Sequence, residues 1–193
     1  MITREQALQL IEKHVANKNI VKHMLALEAV MGALADKLEG KQEEWQMAGL
    51  LHDGDYCENV PMERQGIQIT EWARQKYDPP GGEASIPENV AHAMAAHNWS
   101  NTKVEPKSPM DWSIFCADSL TGLIVACALV LPSKKLSDVS VEMVLKKFKS
   151  PSFAKGTRRD DIALCEEKLG IKLSDFIAIT LSAMQGISSE LGL

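Results

Sequence analysis

The chain predicts an all-α fold, and three observations carry that expectation. Apolar residues recur at helical spacing along nearly the whole length, no segment alternates β-branched and polar residues as a half-buried strand would, and short Gly, Pro and Ser breakers separate the periodic stretches. At 193 residues, 45% hydrophobic and 24% charged, the chain can bury a proper core as one domain, or as a domain with a helical extension.

Thr3-x-x-Gln6 reads as a capping box opening a helix through about Val15, with Leu8, Leu10 and Ile11 toward the core. Ile20, Met24, Leu27, Val30, Met31 and Leu34 define a second helix over 19–38, and Gly40 suits its end. A third, over about 42–52, finishes on the apolar run Trp45-Gln46-Met47-Ala48-Gly49-Leu50-Leu51. Residues 54–61 have a breaker at each end and no helical stripe, so they read as loop. A helix over about 66–77 stops at Asp78-Pro79-Pro80-Gly81-Gly82. Pro87 then suits the first turn of a helix that carries Val90, His92, Met94 and His97 and fades near Asn98, before a polar loop over 99–109.

From Met110 to about Leu131 the chain is a long, nearly continuous apolar helix, the expected centre of the bundle, interrupted by Asp118-Ser119 and Thr121-Gly122. Pro132-Ser133-Lys134-Lys135 closes it and marks the boundary between an expected core, 1–132, and a helical extension, 133–193, packed on that core. The extension should hold helices over about 138–147, 158–169 and 174–191, the last with Ser174 as its N-cap.

Composition narrows the function classes. A net charge of -5 provides no general electrostatic footprint for nucleic acid, so an anionic substrate would need local basic residues. The longest uninterrupted apolar candidate, Leu120 to Leu131, is twelve residues and already contains Thr121 and Gly122, which is short of a membrane span. The start of the chain lacks the basic-then-apolar pattern of a secretory signal, and the expected location is cytoplasmic. Cys57, Cys116, Cys127 and Cys165 are widely spaced, without a Cys-x-x-Cys pair. Cys116 and Cys127 read as reduced core residues, and Cys57, four residues past Asp53, reads as a loop thiol without function or, alternatively, as a residue lining a site there.

The chemistry-bearing residues fall in an ordered series. His52 and Asp53 are adjacent at the end of the third periodic segment, His23 precedes them on the second, His92 and His97 follow, and Asp118 interrupts the long apolar helix. Imidazole and carboxylate are both good ligands for a divalent transition metal. A carboxylate within an apolar helix needs a cation or donors to offset its burial. The order His, His-Asp, His, Asp over roughly residues 18 to 132 resembles the HD superfamily of metal-dependent phosphohydrolases. That resemblance implies an all-helical bundle holding its metal between helices.

His23, His52, Asp53 and Asp118 form a two-His, two-carboxylate set that can hold one divalent ion and leave positions open for water and a substrate oxygen. Such an ion lowers the pKa of water toward about 7 and polarises a phosphoryl oxygen. The resemblance further implies a second ion, with Asp53 bridging and a downstream His completing its set. His92 and His97 stand roughly 140° apart on a helix, so only one faces the site. His97, just before Asn98-Trp99, is favoured because HD families often place the ligand there, and His92 is the alternative.

Two imidazoles favour Mn, Fe, Co or Ni over Mg alone. Asp53, and Asp55 as a proton donor to the leaving oxygen, are the catalytic candidates. Thr121, one turn after Asp118, is placed to bond a ligand or phosphate, or to bond back to a helix carbonyl. Lys155, Arg158 and Arg159 form a compact basic cluster before a helix start and are the candidate phosphate binders. The alternative is a solvated loop whose arginines pair with Asp160, Asp161 or Glu166.

The leading expectation is a phosphohydrolase acting through metal-activated hydroxide on a small phosphate ester or anhydride, nucleotides included. Two other classes use the same residues: a di-iron oxygenase of HD type, and a non-catalytic nucleotide-sensing module. The oligomeric state is left open.

Overall fold

The computed structural model describes residues 1–78 and 85–193. Among them every regular element is helical. The helices are α1 (Arg4–His14), α2 (Lys18–Lys37), α3 (Gln42–Leu51), α4 (Gln68–Tyr77), α5 (Glu88–Ala96), α6 (Trp99–Thr102), α7 (Pro109–Leu129), α8 (Val141–Phe148), α9 (Arg159–Leu169), α10 (Leu173–Gly186) and α11 (Ser188–Leu191), with 3₁₀ turns at Met62–Arg64 and Leu136–Asp138. The expected stop at Pro79-Pro80-Gly81-Gly82 lies outside the described residues.

The local signals explain most of these boundaries. Thr3 and Gln6 form the expected capping box on α1, and Ser108 with Asp111 makes a second one at the start of α7, so the first-turn amides of both helices have partners. Glu39, at φ 56, takes the left-handed position after α2 that the sequence reading gave to Gly40. Gly40 serves packing instead, because a Cβ there would sit 2.5 Å from the Trp45 ring. Ser174 does not cap α10. That helix starts one residue earlier, and the Glu166 carboxylate accepts the Leu173 amide at 2.9 Å. The expected loop over 99–109 contains the short helix α6.

The most extensive helix pairing joins α2 and α3. Gly49 makes the close approach possible, since a Cβ there would meet the Leu27 carbonyl oxygen at 2.6 Å. α7 lies along α2, α5, α8, α9 and α10, and Ile114, Cys116, Ala117, Leu120, Leu123, Ile124, Cys127 and Ala128 are wholly buried in it. It is a longer apolar unit than the twelve-residue run suggested: by length and composition it could cross a membrane, yet most of it is buried inside the bundle. Phe176, Ile177, Leu181 and Met184 of α10 close the same core.

Candidate metal centre

Four helices deliver the polar residues to one place. His23 comes from the second turn of α2, His52 is the C-cap of α3 with Asp53 after it, His97 is the C-cap of α5, and Asp118 sits in the middle of α7. Each imidazole is oriented through Nδ1. His52 Nδ1 lies 2.8 Å from the Gly49 carbonyl, and His97 Nδ1 bonds the Met94 carbonyl. A carbonyl oxygen only accepts, so both rings carry their hydrogen on Nδ1 and turn Nε2 toward the centre. Thr121 does the same for His23. Its hydroxyl donates to the Asp118 carbonyl at 2.7 Å, which leaves a lone pair facing His23 Nδ1 at 3.1 Å. The two uses of Thr121 weighed from sequence are thus one relay, with Asp118 rather than Ala117 as the carbonyl.

The inward atoms crowd together. His23 Nε2 is 3.1 Å from His52 Nε2 and 3.0 Å from Asp118 Oδ1. Asp53 Oδ2 is 3.5 Å from His52 Nε2 and 3.8 Å from His23 Nε2, while Asp53 Oδ1 is 3.4 Å from His97 Nε2. Two overlapping groups, His23-His52-Asp118 and His52-Asp53-His97, are close enough to hold an ion. Ligand atoms about 2.1 Å from one ion stand roughly 3.0 to 3.4 Å apart, the edge of an octahedron or tetrahedron of that radius. That spacing matches His23–His52, His23–Asp118 and His97–Asp53, while the approaches of Asp53 to His52 and His23, and of His52 to Asp118 at 4.0 Å, are looser. Neutral His23 and His52 would set two lone pairs against each other at 3.1 Å, a repulsion that only a proton or a metal cation between them relieves. The residues therefore fit a divalent ion.

The electrostatics agree. Burial pushes the His52 pKa down to about 4, so this ring offers its lone pair at neutral pH. At His23 burial also opposes the charged form, but the hydrogen bond and charge of Asp118, with the charge of Asp53, outweigh it and raise the pKa. His97 is raised likewise, its burial overcome by Asp53 and Asp118. Burial works against ionisation of Asp53 and Asp118 too, yet the imidazoles around them hold both carboxyls below the usual range. With the His23 proton displaced, the two carboxylates offer the negative charge that offsets a bound cation.

The remaining sequence candidates divide. His92 is not brought to the centre: its Nδ1 pairs with Asp111 Oδ2 at 2.9 Å, at the start of α7. Asp55 is also misassigned as a proton donor. It is fully buried, and its oxygens accept the amides of Gly66 at 2.9 and 3.0 Å and of Ile69 at 2.9 Å, so it anchors the loop after Asp53 to α4. Burial pushes its carboxyl up to about 6 against the pull of those amides. Arg159 turns away from any substrate, its guanidinium donating to the carbonyls of Lys147, Phe148, Ser150, Phe153, Ala154 and Thr157.

Arg158 does reach the centre, and Lys155 stands at its rim. Arg158 donates to Asp118 Oδ2 at 2.9 Å and to Asp161 at 2.8 Å. Lys155 lines a shallow depression with His23, Asp118 and Gly122. Cys57 is a half-buried free thiol outside both ligand groups.

Gly49 and Gly66 are the functional positions that sequence reasoning missed. Gly66, at φ +82, brings the loop so close that a Cβ would lie 2.2 Å from the Met94 carbonyl oxygen, the same oxygen that orients His97. The sequence reading placed Gly66 at the start of a helix over 66–77, whereas α4 begins at Gln68, and only an isolated glycine at that boundary could have signalled it. No protein-family model, curated protein or solved structure matches the chain.

Proposed function

We propose that the chain is a phosphohydrolase that uses one divalent transition ion to cleave a small phosphate ester or anhydride. The observation that carries the reading is the convergence of three imidazole Nε2 atoms with fixed tautomers on two carboxylates, beside a cationic lip. A bound ion there would acidify water toward a pKa of about 7 and polarise a phosphoryl oxygen.

The protein's own residues supply the rest. An imidazole Nε2 has a single lone pair, so His52 cannot serve both ligand groups at once. His23, His52 and Asp118 Oδ1 make a three-ligand set for one ion, and Asp53 Oδ2, 3.5 Å from His52 and 3.8 Å from His23, would have to close in to add a fourth. His97, protonated on both nitrogens, then pairs through Nε2 with Asp53 Oδ1 and fixes the rotamer that presents Oδ2. A second ion would be left with His97 and one carboxylate oxygen, which counts against the binuclear arrangement and against di-iron chemistry. Arg158 lies beside Asp118, where its exposed guanidinium edge can pair with phosphoryl oxygens, and Lys155 adds charge at the rim. This mixed nitrogen and oxygen set favours Mn, Fe, Co or Ni over Mg.

The test is elemental analysis of purified protein, with release of inorganic phosphate measured across these metals and a panel of phosphate esters. One equivalent of metal, lost in both His52→Ala and Asp118→Ala, is expected. Full metal content in both variants, or no turnover of any phosphate with any metal, would overturn the proposal.

A further inference from the structure

Beside the candidate metal centre lies a cavity of about 460 Å³ that the sequence did not foreshadow. His23, Thr121 and Gly122 form the wall it shares with the centre, and from there it runs between α2 and α7 toward the end of the chain. Ala26, Val125, Leu129 and Leu191 supply its far walls, and Asn19 and Lys22 are its other polar contributors. His23 and Gly122 line both this cavity and a shallow depression beside Asp118, so two unlike surfaces meet at the edge of the centre. On one, Lys155 and the neighbouring loop face His23 and Asp118; on the other, the surroundings are aliphatic.

We infer that this cavity seats the leaving group of the substrate, and that the leaving group is an aliphatic chain. The inference rests on the phosphohydrolase reading and narrows its substrate class. A nucleobase asks for a ring to stack on or a set of donors and acceptors for its edge, and the cavity walls contain no Phe, Tyr or Trp and one side-chain amide, Asn19. An aliphatic chain asks only to leave water. Gly122 to Leu129 is seven residues of helix, about 10 Å at 1.5 Å per residue, the length of an extended chain of roughly eight carbons. In the reaction the water oxygen bonds to phosphorus, the bond from phosphorus to the alcohol oxygen breaks, and that oxygen takes up a proton. An alkyl phosphate and water thus give the alcohol and inorganic phosphate.

Calorimetric titration of the metal-loaded protein with ethyl, butyl, hexyl and octyl phosphate, with thymidine monophosphate as comparator, tests the inference, and released phosphate is measured on the same samples. Each methylene taken from water is worth a factor of about three to four in affinity, so octyl phosphate should bind at least a hundredfold more tightly than ethyl phosphate and better than the nucleotide. Val125→Gln places an amide in the cavity from a half-buried position and should flatten the chain-length slope, with metal content checked directly. A steep slope without turnover would sink the hydrolase reading and leave the cavity's occupant as inferred. Turnover with a flat slope, with nucleotide preferred, or with the slope unaltered in Val125→Gln would overturn the inference and leave the hydrolase reading standing.

Discussion

Replacing Thr121 by Val isolates the contribution of ligand orientation, because it exchanges a hydroxyl for a methyl of similar size at a position only 1% exposed. In the native protein that oxygen accepts from His23 Nδ1 and donates to the Asp118 carbonyl. The carbonyl lies inside α7 and keeps its helical acceptor role, so the change strands one group, the His23 N–H. A buried unsatisfied donor costs about 1–3 kcal/mol. His23 can avoid most of that by moving its hydrogen to Nε2, where Asp118 Oδ1 waits at 3.0 Å, but then Nε2 is no longer a ligand.

The loss should therefore fall on metal binding more than on the metal-free fold. We expect metal affinity to drop by about 10- to 100-fold, as removal of partners behind a ligand typically does, and metal-free stability to change by less than about 1 kcal/mol. Thr121→Ser should restore affinity. Metal titration by calorimetry and urea unfolding in chelator separate the two quantities. Unchanged affinity in Thr121→Val, or equal loss in Thr121→Ser, would refute the relay.

Three other outcomes are expected. Because His23 and His97 have raised pKa values in the metal-free protein, their protons stabilise that form fully below the unfolded value of about 6.5, and this contribution is lost as pH rises through the folded values. Metal must displace the His23 proton, so affinity should climb between pH 6 and 8 while the metal-free melting temperature falls; a pH-independent affinity would contradict the assignment. Arg159→Ala should cost about 2–4 kcal/mol in urea unfolding and sensitise the 149–158 loop to protease, with Arg159→Lys failing to rescue because one ammonium cannot span six carbonyls. Gly66→Ala combines a left-handed backbone penalty of about 1–2 kcal/mol with overpacking of about 1–3 kcal/mol. It should lower the melting temperature and weaken metal binding, whereas a variant that melts like the native protein would remove Gly66 from the site's support.

The helices were legible because long amphipathic stripes and caps such as Thr3-Gln6 are local signals, read without knowing what they pack on. The series His23, His52-Asp53, Asp118 was legible because polar groups stand out in apolar helices. Choosing between His92 and His97 was not possible from periodicity, since it depends on how α5 docks against α3 and α7. Arg158 and Arg159 are neighbours with opposite fates for the same reason: Arg158 is the N-cap of α9 and Arg159 its first helical residue, and the turn of backbone between them sends one toward Asp118 and the other into a nest of carbonyls. Asp55 misled because a carboxylate near a ligand looks catalytic in one dimension, and only the return of Gly66 and Ile69 in space reveals it as an anchor. The apolar cavity left no trace in the sequence, being formed by α2, the second half of α7 and residues 191–193, which lie far apart along the chain.

The residues of the candidate centre are fastened to scaffolds of unequal strength. His23 and Asp118 project from the interiors of two of the longest helices, whereas Asp53 and His97 sit just beyond helix ends, where backbone is held by the Asp55 anchor and the Gly66 contact. Warming should fray helix ends and loops before long buried helices, so the centre should come apart in order. His97 and Asp53 should lose their positions while His23 and Asp118 still face each other, and hydrogen exchange would register this as early opening confined to residues 52–69 and 94–98.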